Sequence, residues 1–235
     1  MPPLASLRVT LRPAVRRLKS FLGLDVYRRA ELAVETVLLG DSGGRWSVVP
    51  DGLGPHTVVY ALGVGTDISF ERDLIARYGV TVHAFDPTPI SLEWAASRAL
   101  PQGFVLHPYG VADFDGTARF TGPRKRKFAS FSLVRREGVG PAVEAPVRRL
   151  ATLIGLLHLP PAHLIKIDIE GAEYAVLPDL LGSGLRPAQI LVEFHHRWRE
   201  VGAGRTREAL RTLGRHGYRI AHVSDNGMEY AFLRV

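Results

Sequence analysis

Residues 58–89, VVYALGVGTDISFERDLIARYGVTVHAFDPTP, decide the fold. Val58 to Leu62 is a short apolar run without alternation, the pattern of a strand buried on both faces of a parallel sheet. Gly63 and Gly65 follow at once, and without Cβ atoms they permit a tight turn that a ligand can approach closely. Thr66 or Asp67 then caps a helix in which Phe70, Leu74, Ile75 and Tyr78 recur at helical spacing and Gly79 ends the run. Val80 to Phe85 reads as a second strand, with Asp86 at its carboxyl end. Strand, glycine turn, helix, strand and acid, in that order, make half of a nucleotide-binding α/β unit. The plainer alternative is a βαβ unit that holds no cofactor.

The spacing also selects among ligands. A dinucleotide fingerprint requires G-x-G-x-x-G, and here Ile68 stands at the last position. Asp67 lies near the helix start, where its charge repels a pyrophosphate. S-adenosylmethionine (SAM), a nucleoside with a zwitterionic tail and no phosphate, suits the stretch better. Asp86, about 20 positions beyond the second glycine, is placed to accept hydrogen bonds from a ribose diol. Gly63, Gly65, Thr66, Asp67 and Asp86 are therefore the candidate cofactor contacts.

Bulk composition narrows the class further. A chain of 235 residues, 46% hydrophobic and 23% charged, is an ordinary globular α/β domain with room for a sizeable core. There are no cysteines, so disulfides, thiolate metal sites and cysteine nucleophiles are excluded. The reducing cytoplasm is the expected compartment. The formal charge of +7 admits an anionic partner or simply arginine-rich codon usage. No apolar run approaches the length of a membrane span, and the amino terminus has no secretory pattern.

In chain order, residues 1–45 are expected to form a helical extension and 46–235 the main domain. From Leu11, the residues Val15, Leu18, Phe21 and Leu22 recur at helical spacing opposite Arg12, Arg16, Arg17 and Lys19. Such a helix either packs its apolar face on its own domain, the favoured expectation, or makes a weak peripheral contact with an anionic membrane. A second helix is expected from Arg28 to Leu39. Residues 41–55 read as a loop in which Trp46 plugs the core or walls the ligand site. Thr88 and Pro89 open a helix through Ala99, and Phe104 to His107 is a third strand. The loop after it supplies Gly110 and Val111 as candidate adenine contacts, the usual place of that loop in a SAM fold. Residues 114–136 alternate as an inserted hairpin whose tip, PRKRK at 123–127, is more simply a solvated loop than a phosphate-binding one. Arg148 to Leu159 is expected to be helical. His163 to Asp168 and Gln189 to Phe194 read as fourth and fifth buried strands, each followed by a helix. Two last strands close around Asp225-Asn226-Gly227, a strong hairpin signal. The expected architecture is α/β and Rossmann-like: a mostly parallel seven-stranded sheet, a carboxyl-terminal antiparallel hairpin and the amino-terminal helical extension.

With these pieces placed, the chain resembles the FkbM-type SAM-dependent methyltransferases, in particular the branch with a VYSxGxGxDISF-like first motif. The matching segments are VYALGVGTDISF, HAFDPTP, KIDIEGAEYAVL and ILVEFHHRW, in the family's order, and the resemblance covers roughly Trp46 to Arg199. The resemblance implies methyl transfer from SAM to a hydroxyl of a sugar, glycan or secondary metabolite. Two positions depart from the wider fold: Ala61 stands where the first strand commonly ends in an acid, and Asp67 replaces a third glycine. Anchoring of the methionine tail must then differ, with Asp67 facing the α-ammonium.

A hydroxyl is a poor nucleophile at neutral pH and needs a positioned base or a metal ion. The carboxyl ends of the fourth and fifth strands are the place for such groups, and Asp168, Glu170, Glu193 and His195 cluster there in sequence. Asp168 is the first choice for acceptor contact, with capping of the next helix as the plainer alternative. His195 is the natural general base because its ordinary pKa lies near neutrality. Glu173 reads as a complement to a helix dipole. Carboxylates plus imidazole would also suit a divalent metal, which is not expected to be obligatory, and no metal ligand is assigned. A nucleic-acid methyltransferase or binding protein is disfavoured, because Asp168-Ile169-Glu170-Gly171 stands where base methylation typically uses [DN]-P-P-[YF]. A scaffold that has lost catalysis is the third alternative.

Overall fold

The structure, a computed structural model, describes residues 15–41, 43–122, 132 and 142–235. The basic PRKRK segment and Leu11 to Arg12 lie outside the described residues. The described residues open with a short helix α1 (15–21), followed by a hairpin of β1 (Val37–Leu39) and β2 (Trp46–Val48). Then come β3 (Val58–Leu62), α2 (Ser69–Tyr78), β4 (Thr81–Phe85), α3 (Pro89–Ala96) and β5 (Phe104–His107). A small side sheet holds β6 (Gly110–Val111), β7 (Gly116–Thr121) and β8 (Ala142–Arg148). The chain finishes with α4 (Leu150–Leu156), β9 (Leu164–Ile167), α5 (Glu173–Gly182), β10 (Gln189–Glu193), α6 (Gly202–Arg215), β11 (Tyr218–Val223) and β12 (Glu229–Arg234).

The main sheet has seven strands in the order β11-β12-β10-β9-β3-β4-β5. The strands from β10 to β5 run parallel, and β12 enters antiparallel between β10 and β11. Because β3 and β9 are buried on both faces, alternate residues feed two cores. Tyr60, Leu62, Ile165 and Ile167 pack with α4, α5 and α6, whereas Val59, Ala61 and Leu164 pack with Phe70 and Leu74 of α2 and with Trp46 of β2. The sequence runs outward from β3 in one direction through β4 and β5, and in the other through β9 and β10. The switch point therefore lies between β3 and β9, where open α/β sheets form their crevice.

Several local expectations change. The helix expected over Arg28 to Leu39 does not form. Residues 28–36 are irregular, and Val37–Leu39 is a strand. The edge of the sheet decides this: the N–H groups of Glu31 and Leu32 donate to the Ile220 carbonyl, and the Glu31 carboxylate accepts from the Ile220 N–H. Ile220 adjoins a bulge in β11, and satisfying its exposed backbone outweighs a weak helix preference. The glycine-rich loop at 41–55 contains β2, and the β1–β2 hairpin straddles the domain boundary expected at residue 45. Gln189 exchanges two hydrogen bonds with the backbone of Val49, 3.0 and 2.7 Å, which fixes this hairpin to β10. Of the inserted hairpin expected over 114–136, Thr121 and Ser132 exchange antiparallel backbone hydrogen bonds at 2.9 and 3.1 Å, its tip lies outside the described residues, and β7 also pairs antiparallel with β8. Arg148 consequently belongs to a strand, and the helix expected from it begins at Leu150.

Helix α1 sits the other way round from the favoured expectation. Arg16 and Ser20, one helical turn apart, face the domain: Arg16 donates to the carbonyls of Asp225 and Val26, and Ser20 Oγ accepts from the Tyr27 N–H. The apolar residues point outward.

Candidate functional site

The site grows from the turn after β3. Gly63 and Gly65 both have positive φ, 77° and 53°. A Cβ on Gly63 would lie 1.9 Å from the Asp168 carbonyl oxygen, so only glycine permits the β3 and β9 ends to approach this closely. Asp86, at the end of β4, is buried against this turn. Its Oδ2 accepts from the N–H groups of Val64 and Gly65 at 3.2 and 2.9 Å, and its Oδ1 accepts from the Thr88 N–H and hydroxyl at 3.0 and 2.6 Å. A carboxylate has about four lone-pair sites, and all are engaged within the chain. Asp86 thus braces the glycine turn, and Thr88, the N-cap residue of α3, turns its hydroxyl to Asp86 and Ser91 rather than to the N–H groups of the helix.

Thr66 is half-buried in the turn. Asp67 Oδ1 accepts from the Ser69 N–H at 2.8 Å, opening α2, while its other oxygen lies against Gly44. Gly110 is packed closely, since a Cβ there would meet Phe120 and Val147 at 2.9 Å and Pro87 at 3.2 Å. Val111 is a core residue. Any adenine contact from this pair therefore comes from backbone.

A cavity of about 660 Å³ extends from this turn across the ends of β9 and β10. Its wall includes Val64, Asp67, Asp168 and Glu193, with Trp46 on the hairpin side and Asp225 to Asn226 of the β11–β12 turn opposite. Trp46 is a core residue that also lines this cavity. Asp168, Glu193 and His195 each bring one ligand-type atom within 4.8 Å of the others. That donor set has the chemistry of a hard divalent cation site.

Two charged residues here escaped the sequence reading. Lys166 and Glu71 form a buried ion pair at 3.1 Å, and Lys166 also donates to the Gly63 carbonyl at 3.3 Å. Burial works against the charge on Lys166, but Glu71, together with Asp168 and Glu193, holds the ammonium proton more tightly than usual. Lys166 Nζ also lies 5.3 Å from the Trp46 ring centre. The signal was present: a lysine within LIKI, a strand buried on both faces, requires a buried anion. Glu71 also lines the cavity, and its Oε2 has no hydrogen-bond partner among the described residues.

Glu173 does more than complement a dipole. Fully buried, it accepts from the Gly171 N–H at 2.8 Å and from the His195 N–H at 3.1 Å, and pairs with His195 Nδ1 at 3.1 Å. Glu170 lies 3.5 Å from His195 Nε2, and its φ of 52° is unusual for a residue with a side chain. Burial alone would discharge His195. The Glu173 carboxylate, with Glu170 and Glu193, overrides burial and lifts the imidazole to about 9. Burial and the neighbouring Asp168 push the Glu193 carboxyl up to about 9 as well. The near-neutral base expected of His195 is therefore an imidazolium at neutral pH. Because its folded value exceeds the unfolded value of about 6.5, this pair stabilises the fold fully below that pH and loses the contribution as pH rises through about 9. Melting temperature should fall from pH 6.5 to 9, and Glu173→Gln should flatten that fall. Thermal unfolding of both proteins across the range checks it.

A family model for the methyltransferase FkbM domain matches residues 60–220. Among solved structures, methyltransferase FkbM from Methylobacillus flagellatus KT superposes with a TM-score of 0.50 at 14% identity, covering 77% of this chain and 44% of that one. The chain thus spans less than half the length of that protein. A fibrillarin/Nop5p complex gives a TM-score of 0.45 at 12% identity, covering 78% and 75% of the two chains. The Methanococcus jannaschii fibrillarin pre-rRNA processing protein gives 0.44 at 10%, covering 88% and 87%. A search of curated proteins finds no significant match. With the family model spanning more than half of the sequence, the chain belongs to the FkbM methyltransferase domain family.

Proposed function

We propose that this protein transfers a methyl group from SAM to a hydroxyl oxygen of a sugar, glycan or secondary metabolite. The observation that carries the reading is the placement of Asp168 on the wall of a cavity that also meets Val64 and Asp67 of the turn after β3. When bound, SAM supplies an electrophilic methyl on a sulfonium. Residues of this chain align the acceptor and dispose of its proton. Gly63 lets the ends of β3 and β9 close together beside the cavity, and Asp86 would serve the cofactor by holding Val64 and Gly65 in place. Asp67 and the unpaired oxygen of Glu71 favour a cationic group such as an α-ammonium.

Asp168 would accept the proton of the acceptor hydroxyl as the new O–C bond forms and the methyl–sulfur bond of the bound donor breaks, its electron pair staying on the departing thioether sulfur. Glu193, which holds its own proton at neutral pH, donates a hydrogen bond beside it. His195, as imidazolium, steadies the surrounding carboxylates. Holding the acceptor in line contributes as much as proton removal.

A second reading places a divalent cation on Asp168, Glu193 and His195, favoured by the proximity of their donor atoms. The metal is not expected to be obligatory, and activity that persists in a chelator would exclude this second reading. Calorimetry with SAM, followed by labelled methyl transfer to hydroxylated glycans, to amines and to RNA, tests the whole reading. Binding of SAM with transfer only to nitrogen or RNA would overturn hydroxyl specificity. Absence of SAM binding would overturn the enzyme reading altogether.

A further inference from the structure

Five of the eleven large apolar side chains exposed among the described residues lie between positions 15 and 24: Val15, Leu18, Phe21, Leu22 and Leu24. Phe21 is 87% exposed, Leu24 67% and Leu18 60%. A patch of this composition on one short segment marks an interaction surface rather than scattered surface residues. The polar side chains of α1, not its apolar ones, hold it to the domain. Besides the bonds of Arg16 and Ser20 already described, Arg207 donates to the Ser20 carbonyl at 3.4 Å. The inward contacts fix an outward apolar face.

Cations border that face. Arg17 and Lys19 are exposed on the helix, and the Arg17 and Arg29 guanidinium groups lie 5.1 and 5.9 Å from the Tyr27 ring centre. Charge selects the partner. A second copy of the chain on this face would bring like-charged arginines and lysines together, in a protein whose formal charge is already +7. An anionic lipid surface accepts both components: phosphates meet the cations, and the apolar side chains enter the boundary between headgroups and acyl chains.

We propose that the outward face of α1 and the turn after it dock this protein on an anionic membrane surface. Arg16 links α1 to the Asp225 carbonyl of the β11–β12 turn, which forms part of the cavity wall. Docking therefore brings the rim of the cavity near the lipid surface. Among the described residues no helix is long and apolar enough to cross a membrane, so the attachment is peripheral.

Flotation of the full chain with vesicles tests this without reference to methyl transfer. The expected result is binding to phosphatidylcholine vesicles containing phosphatidylglycerol, no binding to phosphatidylcholine alone, and release by salt. Leu18→Ser with Phe21→Ser should weaken partitioning on the order of 10-fold or more. Arg17→Gln with Lys19→Gln should weaken it by about as much. All four side chains are exposed, so unchanged melting temperatures are expected and confirm that the variants fold. Equal binding to neutral and anionic vesicles, no binding to either, or full binding by the variants would overturn the proposal. So would concentration-dependent self-association that Leu18→Ser with Phe21→Ser abolishes, since that assigns the face to a second copy.

Discussion

Asp168→Asn should lower methyl transfer by about 100- to 10,000-fold while leaving SAM affinity within a few-fold of the parent. The amide keeps the shape of the side chain but cannot take up the acceptor proton. Glu193→Gln is the informative companion. Burial and Asp168 keep the Glu193 carboxyl protonated at neutral pH, and glutamine imitates that neutral, donating form. Its effect at pH 7 should therefore be only a few-fold. Single-turnover rates with saturating labelled SAM, beside calorimetric SAM affinities, separate the two. Equal losses in both variants would mean that the carboxylates act as an interchangeable pair, and a near-normal rate for Asp168→Asn would remove it from the chemistry.

Lys166→Met should destabilise the fold by about 3–5 kcal/mol, because it leaves the Glu71 carboxylate buried without its cation. For a chain of this size that corresponds to a fall of roughly 10 °C in melting temperature. Combining it with Glu71→Leu should restore most of the loss, since an apolar pair of similar volume carries no desolvation penalty. The Lys166 contact with the Gly63 carbonyl adds a second consequence: SAM affinity should stay weakened even in the restabilised double variant. A double variant as unstable as Lys166→Met alone would mean that the lysine acts through something other than its ion pair. Chemical denaturation of the parent, both single variants and the double variant completes the cycle.

The sheet was legible because its strands are short apolar runs closed by glycine, proline or an acid. Val58 to Leu62 and Gln189 to Glu193 have no alternation to mislead, and the turn at Asp225-Asn226-Gly227 announced the last hairpin. What escaped was set by contacts distant in sequence. β1 and β2 have three residues each, too few for a period, and form because the sheet offers a face to cover. β8 contains Pro146, which argues against a strand, yet it sits between β6 and β7 with Pro146 opposite Thr117. The clustering of Asp168, Glu193 and His195 followed from strand ends and parity. Their protonation did not, because it depends on the buried position of Glu173 and on crowding between carboxylates. Asp86 shows the same limit: its place at a strand end was readable, whereas the four hydrogen bonds that occupy it were not.

The insertion of β12 between β10 and β11 has a consequence for how the molecule is made. Synthesis proceeds from the amino end, so β9 and β10 leave the ribosome before the segment that must pair with the free side of β10. Until Glu229–Arg234 arrives, the nascent sheet carries an unfinished apolar edge next to its future reaction centre, open to wrong partners. Completion is a late, long-range event, and the newborn protein depends on it for both solubility and a formed pocket.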